Sequence, residues 1–248
     1  MISIKAGLAI AFALVEITSC LEIAQAQLSP NIQVVSDNQQ PILGPDSLAT
    51  GRDPKVPRGP CEAADIAYTP LLPVTESGFS GFTLTGYPTF WFYVRHNTND
   101  ISFGKFSIED EQKNQVYETY LKLPKTPGFV SISIPTTTKP LEKNKQHHWT
   151  FTRYCISNYQ SDDAPKAWHE GTIQRLDMPA LETQLKTATL EERSKLYIEN
   201  RIWYDAPGDL PKSKNFAQDW RNLLRAIGLE QLAQEPIAGE VVPIEEGN

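Results

Sequence analysis

The strongest constraint on how this chain folds is a series of short alternating segments between Phe90 and Arg175. Val130, Ile132 and Ile134 are separated by Ser131 and Ser133, and Phe106 and Ile108 by Lys105, Ser107 and Glu109. Strand side chains point to opposite faces in turn, so this spacing buries one face and wets the other. Phe90-Trp91-Phe92-Tyr93-Val94 reads as a buried strand that a turn over Asn97-Thr98-Asn99-Asp100 follows. Further strands are predicted over Val116 to Leu123, around Trp149, Phe151 and Cys155, and from Ala167 to Arg175. Strands at this spacing, with no helical segment between them, predict an antiparallel β-sandwich of immunoglobulin-like style over residues 58–175.

After Leu176 the period changes. Leu181 and Leu185 lie four apart, in a short helix entered through Asp177 and Pro179. Thr189-Leu190-Glu191-Glu192 is a capping box, in which the Thr oxygen accepts from an orphan amide and the Glu returns the bond. The helix it opens is expected to run to about Trp203 and to end at Pro207-Gly208. Asn215 opens a last helix, with Trp220, Leu223, Leu224 and Ile227 on one face and Gly228 closing it. The fold class is therefore α+β, with a small helical subdomain over 176–236 packed on the sandwich. Residues 237–248 are expected to be a flexible tail.

The N-terminal residues point to export. Lys5 precedes an apolar run from Ala6 to Val15, too short to span a bilayer and of the length of a signal-peptide core. Ala24-Gln25-Ala26 offers small residues one and three positions before a cut, so cleavage is placed after Ala26. A competing reading makes Cys20 of Ile17-Thr18-Ser19-Cys20 a lipidation site, against which Glu16 breaks the apolar run; an uncleaved anchor is a third. All three put the body of the chain outside the cytoplasm, in the periplasm or secreted. No later stretch is apolar for long enough to span a membrane. Residues 27–57 hold prolines and many polar residues and read as a disordered leader.

Without residues 1–26 the chain keeps two cysteines, Cys61 and Cys155. In an oxidising compartment they read as a disulfide, closing a loop of 94 residues (155 minus 61). Such a loop contributes at most about 4–5 kcal/mol in the chain-entropy model. The formal charge of -7 loses Lys5, Glu16 and Glu22 with the signal and becomes -6. An acidic chain with no basic block makes a poor nucleic-acid partner.

Motifs for chemistry are sparse. Gly78-Phe79-Ser80-Gly81 falls short of a nucleophile elbow, and phosphate-loop and dinucleotide fingerprints are missing. His147 and His148 are adjacent on a strand and point to opposite faces, so they do not share a metal easily; His169 and Glu170 have the same problem. The Asp110-Glu111, Asp162-Asp163 and Asp205 carboxylates are scattered. No catalytic residue, metal ligand or cofactor is assigned. Trp91, Trp149, Trp203 and Trp220 sit on apolar faces and read as core. Trp168 has Lys166, His169 and Glu170 as neighbours and reads as the exposed tryptophan, a candidate glycan contact.

Together these segments resemble the cyanobacterial family known as domain of unknown function 928, over roughly Pro57 to Pro236. The resemblance rests on Arg58-Gly59-Pro60-Cys61, Pro88-Thr89-Phe90-Trp91-Phe92-Tyr93-Val94, Pro127-Gly128-Phe129-Val130-Ser131 and His148-Trp149-Thr150-Phe151. Ile202-Trp203-Tyr204-Asp205-Ala206 and Trp220-Arg221-Asn222-Leu223-Leu224 complete it. It implies an exported, uncharacterised envelope protein and no activity, cofactor or catalytic residue. Family members carry Gly before the Ile-Trp-Tyr-Asp-Ala segment and Leu after it, where this chain has Arg201 and Pro207-Gly208. The reading is a non-enzymatic interaction protein of the envelope, with an envelope or secreted protein as partner. The alternatives are a polysaccharide-binding module and, ranked last, a hydrolase with an unfamiliar site.

Overall fold

The computed structural model describes residues 68–95, 103–124, 126–154, 166–210 and 214–244. Among the described residues, eleven strands form two sheets. The smaller holds β1 (Tyr68–Pro70), β4 (Thr89–Val94), β7 (Gly128–Ser133) and β10 (Ile237–Glu240), in that order. The larger runs from β11 (Val242–Pro243) through β6 (Gln115–Lys122), β5 (Phe103–Glu109), β8 (Gln146–Tyr154) and β9 (Lys166–Arg175). It ends at β3 (Gly78–Thr83) and β2 (Val74–Thr75).

The alternation read from the sequence is what joins the sheets. In β5 the buried positions are Gly104, Phe106 and Ile108, and in β8 Trp149 and Phe151 are completely buried. They meet Phe90 and Phe92 of the small sheet: Phe90 lies 4.7 Å from Phe106, and Phe92 lies 4.6 Å from Phe151 and 5.7 Å from Trp149, ring centre to ring centre. Edge-on and tilted packing at these distances suits the positive ring edge and negative face.

Two strand pairs are parallel, β3 with β9 and β10 with β7. The sheets are therefore mixed, and the expected all-antiparallel arrangement is corrected. Residues after Pro236 also depart from the expected tail. Phe129 N–H donates to the Pro236 carbonyl, Val241 N–H to Ser131, and Ile244 N–H to Tyr120. The segment thus crosses from the edge of the small sheet to the edge of the large one, with Val241 buried in the core.

Four α-helices follow β9: α1 (Pro179–Thr187), α2 (Leu190–Glu199), α3 (Ala206–Asp209) and α4 (Phe216–Ala226). The capping box forms as read, with Glu192 N–H donating to Thr189 Oγ1 and the Thr189 amide to Glu192 Oε2. The α2 helix stops at Glu199, four residues short of the expected Trp203, because Arg201 adopts a left-handed φ of 59°. Left-handed backbone crowds a Cβ, so a glycine would take this position with less strain than Arg201. Beyond the turn the chain runs beside β3: Phe82 N–H donates to the Arg201 carbonyl and Tyr204 N–H to Phe82. Pro207-Gly208 does not end a helix but lies inside α3, with Pro207 in its first turn, where a missing N–H costs nothing. The α4 face carrying Trp220, Leu223 and Leu224 covers the outward side of the small sheet, where Trp220 meets Phe129 at 4.8 Å and Trp91 at 6.3 Å. None of the described helices is long and apolar enough to cross a membrane.

Candidate functional site

The side of the large sheet that faces away from the core carries a mixture of aromatic and charged groups. Strand alternation and register place it. In β9, Ala167, His169 and Ile173 are buried, so Trp168, Glu170, Thr172 and Gln174 point outward, and Trp168 is half-buried. Trp168 pairs with Thr152 of β8, Thr152 with Lys105 of β5, and Lys105 with Tyr120 of β6. The four residues make one row across the sheet. The row beside it reads Glu170, Thr150, Ser107 and Glu118.

Lys105 ties the two rows together. Its ammonium lies 2.9 Å from Glu118 Oε2 and 5.6 Å from the centre of the Tyr120 ring. Burial pulls the proton affinity of Lys105 down, but the Glu118 bond and charge, with Tyr120 and Tyr154, outweigh it and leave it raised. The ammonium is thus fixed and charged at neutral pH. The face offers a flat aromatic group, a held cation and anion, and a strip of threonine and serine hydroxyls. That set suits recognition of a surface by stacking and hydrogen bonding.

His147 is buried and His148 exposed, as their adjacency on one strand predicts. His169 is buried too, its Nε2 3.0 Å from the Tyr68 carbonyl oxygen, while its amide donates to the Tyr68 hydroxyl at 2.7 Å. That hydroxyl donates to the Phe151 carbonyl, so the group is a core network. Among the described residues, no set of three or more His, Cys, Asp or Glu side chains is placed to hold a metal ion. Asp110 closes the β5–β6 turn by accepting from the Gln112 and Asn114 amides and from Asn114 Nδ2. Trp149, Trp203 and Trp220 are buried, and Trp91 is half-buried under α4. Cys20, Cys61, Cys155, His96 and Asp162-Asp163 lie outside the described residues.

Two charges, one buried and one half-buried, have roles that the sequence reading did not give them. Arg153, in β8, is completely buried, and burial lowers its pKa to about 10. Its place on the inward face of the strand, in phase with Trp149 and Phe151, was the available signal. Asp205 accepts from Thr83 Oγ1 at 2.5 Å and from the Leu84 amide at 2.9 Å. Burial raises its carboxyl from the ordinary 3.8 to about 6, against the pull of those two donors. It lashes the α2–α3 connection to the end of β3 and has no partner placed for chemistry on a substrate.

No curated protein and no solved structure matches the chain. A family model, Domain of Unknown Function (DUF928), matches residues 52–237, well over half of the sequence. The matched span takes in β1 to β9 and all four helices, and on that match the chain belongs to the DUF928 family.

Proposed function

We propose that this is an exported protein of the cell envelope, and that its sandwich-like domain is a non-enzymatic interaction module. It would present the outward face of the large sheet to an envelope or secreted protein. The observation that supports this most is the Trp168–Thr152–Lys105–Tyr120 row, a half-buried band with a fixed charge pair beside it. Aromatic and cationic groups of this kind are enriched where proteins meet. A photo-cross-linking residue at Thr150 in intact cells is expected to capture a discrete protein, and the same residue at Glu182 on α1 is not. Equal capture at both, or none at Thr150, would remove the reading.

Glycan binding is the second reading, and Trp168 favours it, since a half-buried indole beside the Thr152 hydroxyl can stack on a sugar ring. In that case Trp168→Ala weakens retention on wall polysaccharide by about fivefold, equivalent to roughly 1 kcal/mol of lost stacking. The melting temperature should barely move. Unchanged retention would eliminate Trp168 as a contact.

Export carries a second expectation. Mature protein is cleaved after Ala26 or lipidated at Cys20, and intact mass separates the two. Cys61 and Cys155 then form a disulfide, so neither thiol reacts with an alkylating reagent until the protein is reduced. Reduction is expected to cost about 2–4 kcal/mol of stability. Ready alkylation of unreduced protein would refute the bridge.

A further inference from the structure

At one end of the large sheet, the β5–β6 turn, the β7–β8 connection and the start of β8 line an open recess of about 140 Å³. We propose that this recess binds a small zwitterion of amino-acid size, with its ammonium at Glu111 and its carboxylate at Lys145. The proposal is independent of the Trp168 face, which lies on the other side of the large sheet.

Size limits the ligand. A cavity of about 150 Å³ holds a six-membered ring and little more. Drug-sized ligands need roughly 300 Å³ or more. A molecule of about six non-hydrogen atoms is therefore what the recess admits.

Charge sets the class. The walls carry Asp110, Glu111 and Glu142 on one side of the balance and Lys139 and Lys145 on the other. Several of these are already engaged. Lys139 pairs with Glu142 at 2.5 Å, and Asp110 is saturated by its own turn. Glu111 uses only Oε1, which accepts from the Gln146 amide at 3.2 Å. Among the described residues its Oε2 accepts no hydrogen bond, and no carboxylate comes within ion-pair distance of Lys145. One anion and one cation are thus left over around a single small volume. A ligand with both charges satisfies both, whereas a singly charged ligand leaves one of them unpaired.

The floor adds an unused polar group. His147 lines the recess, is 3 % exposed, and its Nδ1 is buried without a hydrogen-bond partner. A buried unpartnered nitrogen is unfavourable. Burial also lowers its proton affinity, against the pull of the Lys145 backbone and of Glu142, Asp110 and Glu111, so the ring is neutral at pH 7. Its resonances report on occupancy whether or not it bonds the ligand directly.

The test is a titration of the full chain with L-alanine, followed by the ring nitrogen and proton shifts of His147. Propionate and ethylamine serve as probes of similar size that each lack one charge. Alanine is expected to give a saturable shift with a Kd on the order of 1 mM. Propionate and ethylamine should bind at least about fivefold more weakly, as should alanine to Glu111→Gln or Lys145→Met, since a partly solvated charge contact is worth about 1 kcal/mol. Both substitutions are at exposed positions and leave the fold intact. No saturable shift with alanine at tens of millimolar would overturn the proposal. So would equal affinity for the three probes, or unchanged alanine affinity in both variants.

Discussion

Replacing Gly171 by Ala is expected to remove about 3 kcal/mol of stability, at the upper end of what overpacking a core usually costs. Gly171 sits in β9 between Trp149 of β8 and Phe79 of β3. A Cβ there would lie 2.5 Å from Trp149 Cζ2 and 2.6 Å from the Phe79 carbonyl oxygen. Neither yields easily. The carbonyl is backbone in a paired strand. The indole is completely buried, and its Nε1 donates to the Tyr204 hydroxyl at 2.7 Å, which donates in turn to the Thr172 carbonyl at 2.8 Å. For a domain of this size the melting point should fall by about 10 °C. Gly208→Ala is the control, since a Cβ there meets nothing within 4 Å, and its change should stay within about 0.5 kcal/mol. Equal stability of Gly171→Ala and the unaltered protein in urea unfolding would mean that Trp149 is not seated against this strand.

Asp205 carries the second large effect, and its sign is unusual for a carboxylate. Its folded pKa of about 6 stands above the ordinary 3.8, because burial penalises the charged form more than Thr83 and Leu84 favour it. The folded protein therefore binds more protons than the unfolded chain between these values. The associated stability is fully present below about pH 4 and is lost as pH rises through about 6. A shift of that size corresponds to about 3 kcal/mol at most. Exposed carboxylates with lowered pKa, such as Asp110 and Glu230, act in the opposite direction and lose their contribution on acidification. The difference between the unaltered protein and Asp205→Asn cancels them. Measured by urea unfolding, that difference should move by about 2 kcal/mol between pH 4 and pH 7, in favour of the unaltered protein at the acid end. A constant difference across the range would show that Asp205 ionises freely.

Much of the strand and helix pattern was legible because it is local. The predicted strand at Phe90–Val94 is β4, and the Ser-spaced isoleucines are β7. The Thr189 capping box opens α2, and the Trp220 face is buried. Misses arose where the deciding contact lay far away in sequence. Residues 68–83, rich in Pro, Gly and Ser, gave no periodic signal, yet they form β1, β2 and β3 through pairing with β4 and β9. The end of α2 depended on one backbone angle at Arg201, a residue that has no intrinsic preference for it. The segment after Pro236 looked like a tail because it is short and carries Glu240, Glu245 and Glu246. Edges already built by β6 and β7 supply the hydrogen bonds that hold it.

For the candidate sites the division is similar. The polar neighbours of Trp168 marked it as the odd tryptophan, and it is half-buried, as Trp91 is. Its row with Lys105 and Tyr120 was hidden, since strand order is not written in any one strand. The leftover charges of Glu111 and Lys145 were equally invisible, because only the folded loops reveal which neighbours are already paired.

By itself the sequence determined where each stretch alternates or coils, because periodicity is a property of consecutive residues. It also determined membership of the DUF928 family, which the matched segments carry. Tertiary structure alone decided that β9 lies parallel to β3, that α4 covers the small sheet, and that Asp205 loses its water. Each of those depends on groups dozens of residues apart competing for the same buried space.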